Sequence, residues 1–312
     1  MNDRLPQLED RLFLTDGGLE TTLVFHEKID LPDFAAFVLL ETEEGEETLR
    51  AYYRRYLKIA DAARCGFILE APTWRASRDW GVRRGYGQEA LHEINCKAIA
   101  LLKEIRDDAA RPEDVVVSGQ IGPRGDGYVV SSRMSADEAQ SYHKDQLSSF
   151  RTAGADMACA MTLGYPEEAI GIARAARDVS LPVAIGFTTE TDGTLPCGDA
   201  LASAVAAVDA ATEAYPAYFI LNCAHPDHFR GVLDPQAPWI DRVRGLRANA
   251  SRMSHEELDE AEDLDAGDPV EFGALHAKIA TDLPHITIFG GCCGTDHRHV
   301  AHAAKSVLER PF

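Results

Sequence analysis

A chain of 312 residues that is 45% hydrophobic and 8% aromatic can bury a sizeable core, which argues against a disordered polypeptide. Its 51 acidic residues against 31 basic ones give a formal charge of −20, the wrong sign for nucleic acid or an anionic membrane as partner. No apolar run approaches the roughly 18–20 residues that span a bilayer, and MNDRLPQLEDRLFL at the N-terminus lacks the cationic and apolar stretches of a secretory signal.

Short apolar runs rich in β-formers alternate with longer amphipathic stretches. RLFLT (11–15) is the first strand candidate, and a helical pattern over 47–64 follows it. FILEA (67–71) precedes a helix over 89–107, VVVSG (115–119) one over 136–153, DMACAM (156–161) one over 166–178, and PVAIGF (182–187) one over 198–211. AYFILNC (217–223) leads into 224–242, where prolines and a glycine make the least clear helix of the series. VRGLRAN (243–249) leads to a helix over 270–281, and HITIFG (285–290) to a closing helix over 296–309. Glu46, Glu47, Asp137 and Glu138 fall in expected first helical turns, where acids meet the positive end of the helix dipole. Eight strand–helix units in one series predict an α/β chain folded as a single-domain (β/α)8 TIM barrel over residues 1–312. A doubly wound open sheet is the alternative, but no GxGxxG follows the first strand. The acidic segment 255–271, with nine acids from 256 to 271, reads as solvated helix or loop without the spacing of a calcium site.

In such barrels the chemistry sits at the C-terminal ends of the strands. Those ends read TDGG (15–18), EAPTW (70–74), GQIGP (119–123), AMT (160–162), TTE (188–190), NC (222–223), NAS (249–251) and GGCCG (290–294). The expected compartment is a reducing cytoplasm, where cysteines are buried, metal-bound or reactive rather than paired. Three of the seven cysteines, Cys223, Cys292 and Cys293, close strands six and eight, and the flanking glycines let the backbone turn the sulfurs toward one point. Three thiolates without a fixed fourth ligand match an open zinc site, since soft sulfur favours zinc over magnesium or calcium. Small core residues and a strained vicinal disulfide are the competing readings. His225 and His228 in CAHPDH, and His297 and His299 in TDHRH, read as loop and helix-start residues, with a mixed Cys/His site as the alternative. Cys65, Cys96 and Cys159 read as core. The segments 250–255 and 191–199 read as lid loops, the second exposing Cys197.

DGGLETTL (16–23), EAPTW (70–74), VSGQIGPRGDGY (117–128), LNC (221–223) and GGCCGT (290–295) together resemble the zinc-dependent homocysteine S-methyltransferase family, in the family's order and over nearly the whole chain. The resemblance implies that Cys223, Cys292 and Cys293 bind Zn2+ and that the homocysteine sulfur takes the open position. It implies that Asp16 meets the substrate ammonium while Gly17 and Gly18 offer backbone N–H groups to the carboxylate. Glu70 and Thr73 match the acid and threonine of the methionine synthase form, as substrate contacts or one layer behind them. A thiol with a pKa near 8.5 is mostly protonated at neutral pH, and zinc removes that proton, so no general base is needed. The implied reaction moves a methyl group to homocysteine, giving methionine.

One departure stands out. After strand four many relatives carry an acid followed by threonine, and that acid helps hold the ammonium; here ACAMTLGY places Met161 there. This predicts weaker selection for an amino group and leaves another thiol or a selenol as an alternative acceptor. A non-catalytic zinc- or thiol-binding partner subunit is the alternative from a different class. The partners expected are a small-molecule thiol and a small onium-type methyl donor, with no nucleic acid and no membrane, and the expected assembly is a homodimer.

Overall fold

A computed structural model describes residues 5–261 and 263–310. Eight parallel strands close into a barrel in sequence order: β1 (Phe13–Leu14), β2 (Gly66–Glu70), β3 (Val115–Ile121), β4 (Met157–Leu163), β5 (Val183–Phe187), β6 (Tyr218–Asn222), β7 (Val243–Ala248) and β8 (Ile288–Gly291). Each overlaps the run expected for it, and the ladder from β8 back to β1 closes the ring at Phe13–Ile288 and Leu14–Phe289. No helix among the described residues is long and apolar enough to cross a membrane.

Alternation along the strands sorts side chains between two cores. Phe13, Ile68, Val116, Cys159, Ile220 and Ile288 fill the barrel interior, while Phe67, Leu69, Val117 and Leu246 pack outward among the helices. The same parity carries four more side chains inward one step nearer the C-terminal mouth. They are Glu70 after Ile68, Met161 after Cys159, Asn222 after Ile220 and Arg247 after Gly245. At the opposite end the turn Pro6–Leu8 plugs the barrel, and the Gln7 amide donates to Met157 Sδ at 3.0 Å.

The helices Ala136–Ala153 and Pro166–Asp178 match the expected ranges, and the first opens with a reciprocal cap between Ser135 and Glu138. Helix Glu43–Ala63 starts earlier than expected because Thr42 caps it, so Glu43, Glu44 and Glu46 form its first turn and Glu47 lies beyond it. Between β6 and β7 the chain makes only the short helix Pro226–Phe229 and two 3-10 turns, where the prolines interrupt continuous helix. The acidic segment begins as a short helix, His255–Asp259, ahead of the longer helix Pro269–Asp282; Glu262 lies outside the described residues.

His276 of that longer helix is fully buried against Phe272, and its Nδ1–H donates to the Phe272 carbonyl at 2.7 Å. Burial pushes the imidazole down to about 4, against the help of that carbonyl, whereas in the unfolded chain it titrates near 6.5. The folded protein therefore binds fewer protons between these values. This contribution is complete above pH 6.5 and is lost as the pH falls to 4, a loss of about 3 kcal/mol. Urea unfolding of wild type and His276→Gln should show the wild-type advantage shrinking across that window. A difference independent of pH contradicts it.

Candidate metal centre and substrate cavity

The thiols of Cys223, Cys292 and Cys293 meet at the mouth of the barrel, each with a sulfur within 4.8 Å of the others. Cys292 Sγ lies 2.9 Å and Cys293 Sγ 3.5 Å from Cys223 Sγ. All seven cysteines are free, and Cys223 is buried while the adjacent pair is half-buried. Donation from Cys223 and then Cys292 holds the Cys293 thiol well below its ordinary pKa.

The backbone beneath these sulfurs is fixed by hydrogen bonds. Cys223 adopts a left-handed conformation with φ 57°, which costs a residue with a side chain roughly 1–2 kcal/mol. Three donors converge on its carbonyl: Asn249 Nδ2 at 3.0 Å, His255 Nε2 at 2.9 Å and Thr188 Oγ1 at 3.2 Å. Asn222, the residue before it, spends its amide on another left-handed residue, Thr162 (φ 63°), accepting from its N–H and donating to its hydroxyl, both at 2.9 Å. At the other side of the mouth, the Cys292 N–H donates to the Ala248 carbonyl at 2.8 Å, and the Thr295 hydroxyl donates to the Cys292 carbonyl at 2.7 Å.

The glycines of GGCCGT act mainly through size. A Cβ on Gly290 would stand 1.9 Å from Thr15 Oγ1, just after β1, and one on Gly291 2.0 Å from Thr295 Oγ1, in the turn that follows β8. Of the glycines in this run, only Gly294 needs a positive φ (77°).

A cleft of about 530 Å³, counting its open mouth, leads to the sulfurs. Asp16, Gly17, Gly18, Trp74, Tyr128 and Met161 are among the residues that line it. Tyr128, from the loop after β3, places its hydroxyl 2.9 Å from Cys223 Sγ and 3.5 Å from Cys293 Sγ. Its ring stacks on His255 at 4.1 Å.

Asp16 lies in the cleft with both carboxylate oxygens engaged. Arg247 Nη2 donates to Oδ1 at 2.6 Å, and the Tyr52 hydroxyl donates to Oδ2 at 3.1 Å. Arg247 also donates to the Gly291 carbonyl at 3.2 Å, and its Nη1 stands 3.9 Å from Glu70 Oε1. Burial works against the guanidinium's charge, but Asp16 and then Glu70 keep it above its ordinary range. Gly18 N–H donates to both the carbonyl and the hydroxyl of Thr295. Glu70 is buried behind Arg247, its carboxyl pushed up to about 7 by burial. Thr73 is buried and donates its hydroxyl to the Gln120 carbonyl at 2.7 Å. Neither Glu70 nor Thr73 lines the cleft.

The four histidines singled out in the sequence are placed elsewhere. His225 Nδ1 accepts the Asp227 N–H, His228 contacts the Arg252 carbonyl, and His299 pairs with Asp296 in a helix cap; none of the four belongs to the sulfur cluster. Cys65 and Cys159 are buried, and Cys96 is half-buried beside His92, so it is not a core residue. The donor set that remains is all sulfur, which fits a soft, tetrahedrally bound ion such as zinc.

The model of the homocysteine S-methyltransferase family matches residues 13–307. The chain belongs to the homocysteine S-methyltransferase family. Among solved structures it is similar to the homocysteine methyltransferase MmuM from Escherichia coli. The metallated form superposes with a TM-score of 0.72 at 19% identity, covering 95% of this chain and 96% of that one. The oxidized form gives 0.70 at 20% identity over the same shares. At this identity the likeness bears on the fold, the same closed barrel.

Relative to the family pattern expected from sequence, the site holds three residues that the sequence reading left without a role. Tyr128 ends the motif VSGQIGPRGDGY, and Glu20 stands inside DGGLETTL, so both lay within quoted motifs. Arg247 gave no signal, because its inward direction depends on the register of β7 against β8.

Proposed function

We propose that this methyltransferase is zinc-dependent and moves a methyl group from a small sulfonium or ammonium donor to homocysteine, giving methionine. The observation that carries the reading is the meeting of Cys223, Cys292 and Cys293 at the floor of a cleft on the C-terminal face of the barrel. When bound there, zinc supplies the acidity that turns a thiol into a thiolate nucleophile at neutral pH. The chain supplies three sulfur ligands and the bonds that hold them: Asn249, His255 and Thr188 on the Cys223 carbonyl, and Thr295 on the Cys292 carbonyl. Trp74 and Tyr128 line the cleft beside the sulfurs. No side chain in the cleft is required as a general base, because the acceptor's proton is gone before transfer. Membership of the family and the all-sulfur donor set support the reading.

The test is a screen of metal-loaded protein that crosses several thiols, homocysteine among them, with S-methylmethionine, S-adenosylmethionine and betaine. Methionine should form from homocysteine with at least one donor, and formation should stop on chelation and return with zinc. If no thiol is methylated by any donor at full metal load, the reading is wrong.

A further inference from the structure

Two carboxyl groups and one guanidinium line the cleft: those of Asp16, Glu20 and Arg247. Asp16 and Arg247 cancel one another at 2.6 Å, and Tyr52 takes the remaining oxygen of Asp16. Met161 contributes a thioether where the family resemblance implies an acid, and its side chain packs in the apolar interior. Glu70 stands out of the cleft, on the far side of the guanidinium. Among the described residues no other side chain forms an ion pair with Glu20, so it is the acidic group in the cleft left without a counter-charge, and burial pushes its carboxyl up to about 7. The residue is half-buried, and a carboxylate withdrawn from water gains more from an opposite charge than an exposed one does.

The backbone that carries Glu20 is also tied to the cysteine loop. The residue lies in the short turn Leu19–Thr21, which is joined to that loop on both sides. Gly18 N–H donates to Thr295, and the Thr21 hydroxyl accepts the Gly294 N–H at 3.2 Å. A carboxylate held beside the thiol site suits an acceptor that carries a cation a few bonds from its sulfur.

We propose that Glu20 receives the ammonium of the acceptor, replacing the acid that Met161 has displaced, so that the cleft selects aminothiols over mercapto acids. This rests on methyl transfer to a thiol as proposed above. It reverses the expectation drawn from Met161 alone, because the lost charge is restored from the β1 loop rather than from β4.

The test uses zinc-loaded protein and two thiols, homocysteine and 4-mercaptobutyrate, which keeps the sulfhydryl and carboxylate but lacks the amine. Calorimetry without a methyl donor gives their relative affinities, and turnover gives the ratio of kcat/KM. Wild type should prefer homocysteine. Glu20→Gln should cut that preference by about 10- to 100-fold, the range for one charge-assisted hydrogen bond, with zinc content retained. Glu20→Asp, which keeps the charge, should hold most of it, and Met161→Glu added to the Glu20→Gln background should restore part. A wild-type preference for 4-mercaptobutyrate, or a preference that Glu20→Gln leaves within about twofold, overturns the assignment while methyl transfer stands. Failure of every thiol with every donor overturns both.

Discussion

Replacing Cys223, Cys292 or Cys293 singly by alanine is expected to take the protein from about one zinc per chain to a small fraction after dialysis, and methyl transfer to the assay background. An open site has three protein ligands, so each removal leaves two. Loss of a group that merely orients a ligand already costs roughly 10–100-fold in metal affinity, and loss of a ligand should exceed that. Cys96→Ala and Cys197→Ala serve as controls, since both thiols lie outside the cluster and are half-buried. They should keep the metal and the activity. Full zinc in all three ligand variants, measured by metal analysis of folded protein, would mean that the sulfurs meet for some other reason.

The second large effect is on stability. Arg247→Met should cost about 3–5 kcal/mol, the usual result of leaving one member of a buried ion pair without its partner. Arg247 is 4% and Asp16 2% exposed, so solvent cannot take over the lost charge. The substitution also removes the bonds from Arg247 to the Gly291 and Gly17 carbonyls, which join β7 to the cysteine turn and to the DGG loop. Removing both charges of this pair, with Asp16→Asn added, should recover part of the loss, because Glu70 is then the one buried acid left without the guanidinium. Urea unfolding of the four proteins gives the coupling directly. A single-variant loss below about 1 kcal/mol would show that the pair is not held out of water as described.

The barrel was legible because parallel strands buried on both faces read as short apolar runs, and all eight of them do. The cysteine cluster was legible because two adjacent cysteines and one distant cysteine stood at strand ends, where a barrel brings distant positions together. Element boundaries shifted where a cap decides them, as Thr42 does for Glu43–Ala63. The charge balance of the cleft was much less legible. Arg244 and Arg247 in VRGLRAN have opposite parity, and only the register against β8 tells which one enters the barrel. Without that register Asp16 looks like a free carboxylate. The partner of Asn222 shows the same limit, since Thr162 is 60 residues away on another strand.

Counting the sulfur atoms around the metal tests the central claim most directly, and X-ray absorption at the zinc edge can do it on the folded protein. Three cysteine ligands predict three sulfur neighbours and one lighter atom in the resting protein, and four sulfur neighbours after homocysteine is added, with release of a proton. If a thiol that the protein methylates leaves the sulfur count at three, the acceptor does not bind the metal, and the role assigned to the cysteine cluster is contradicted.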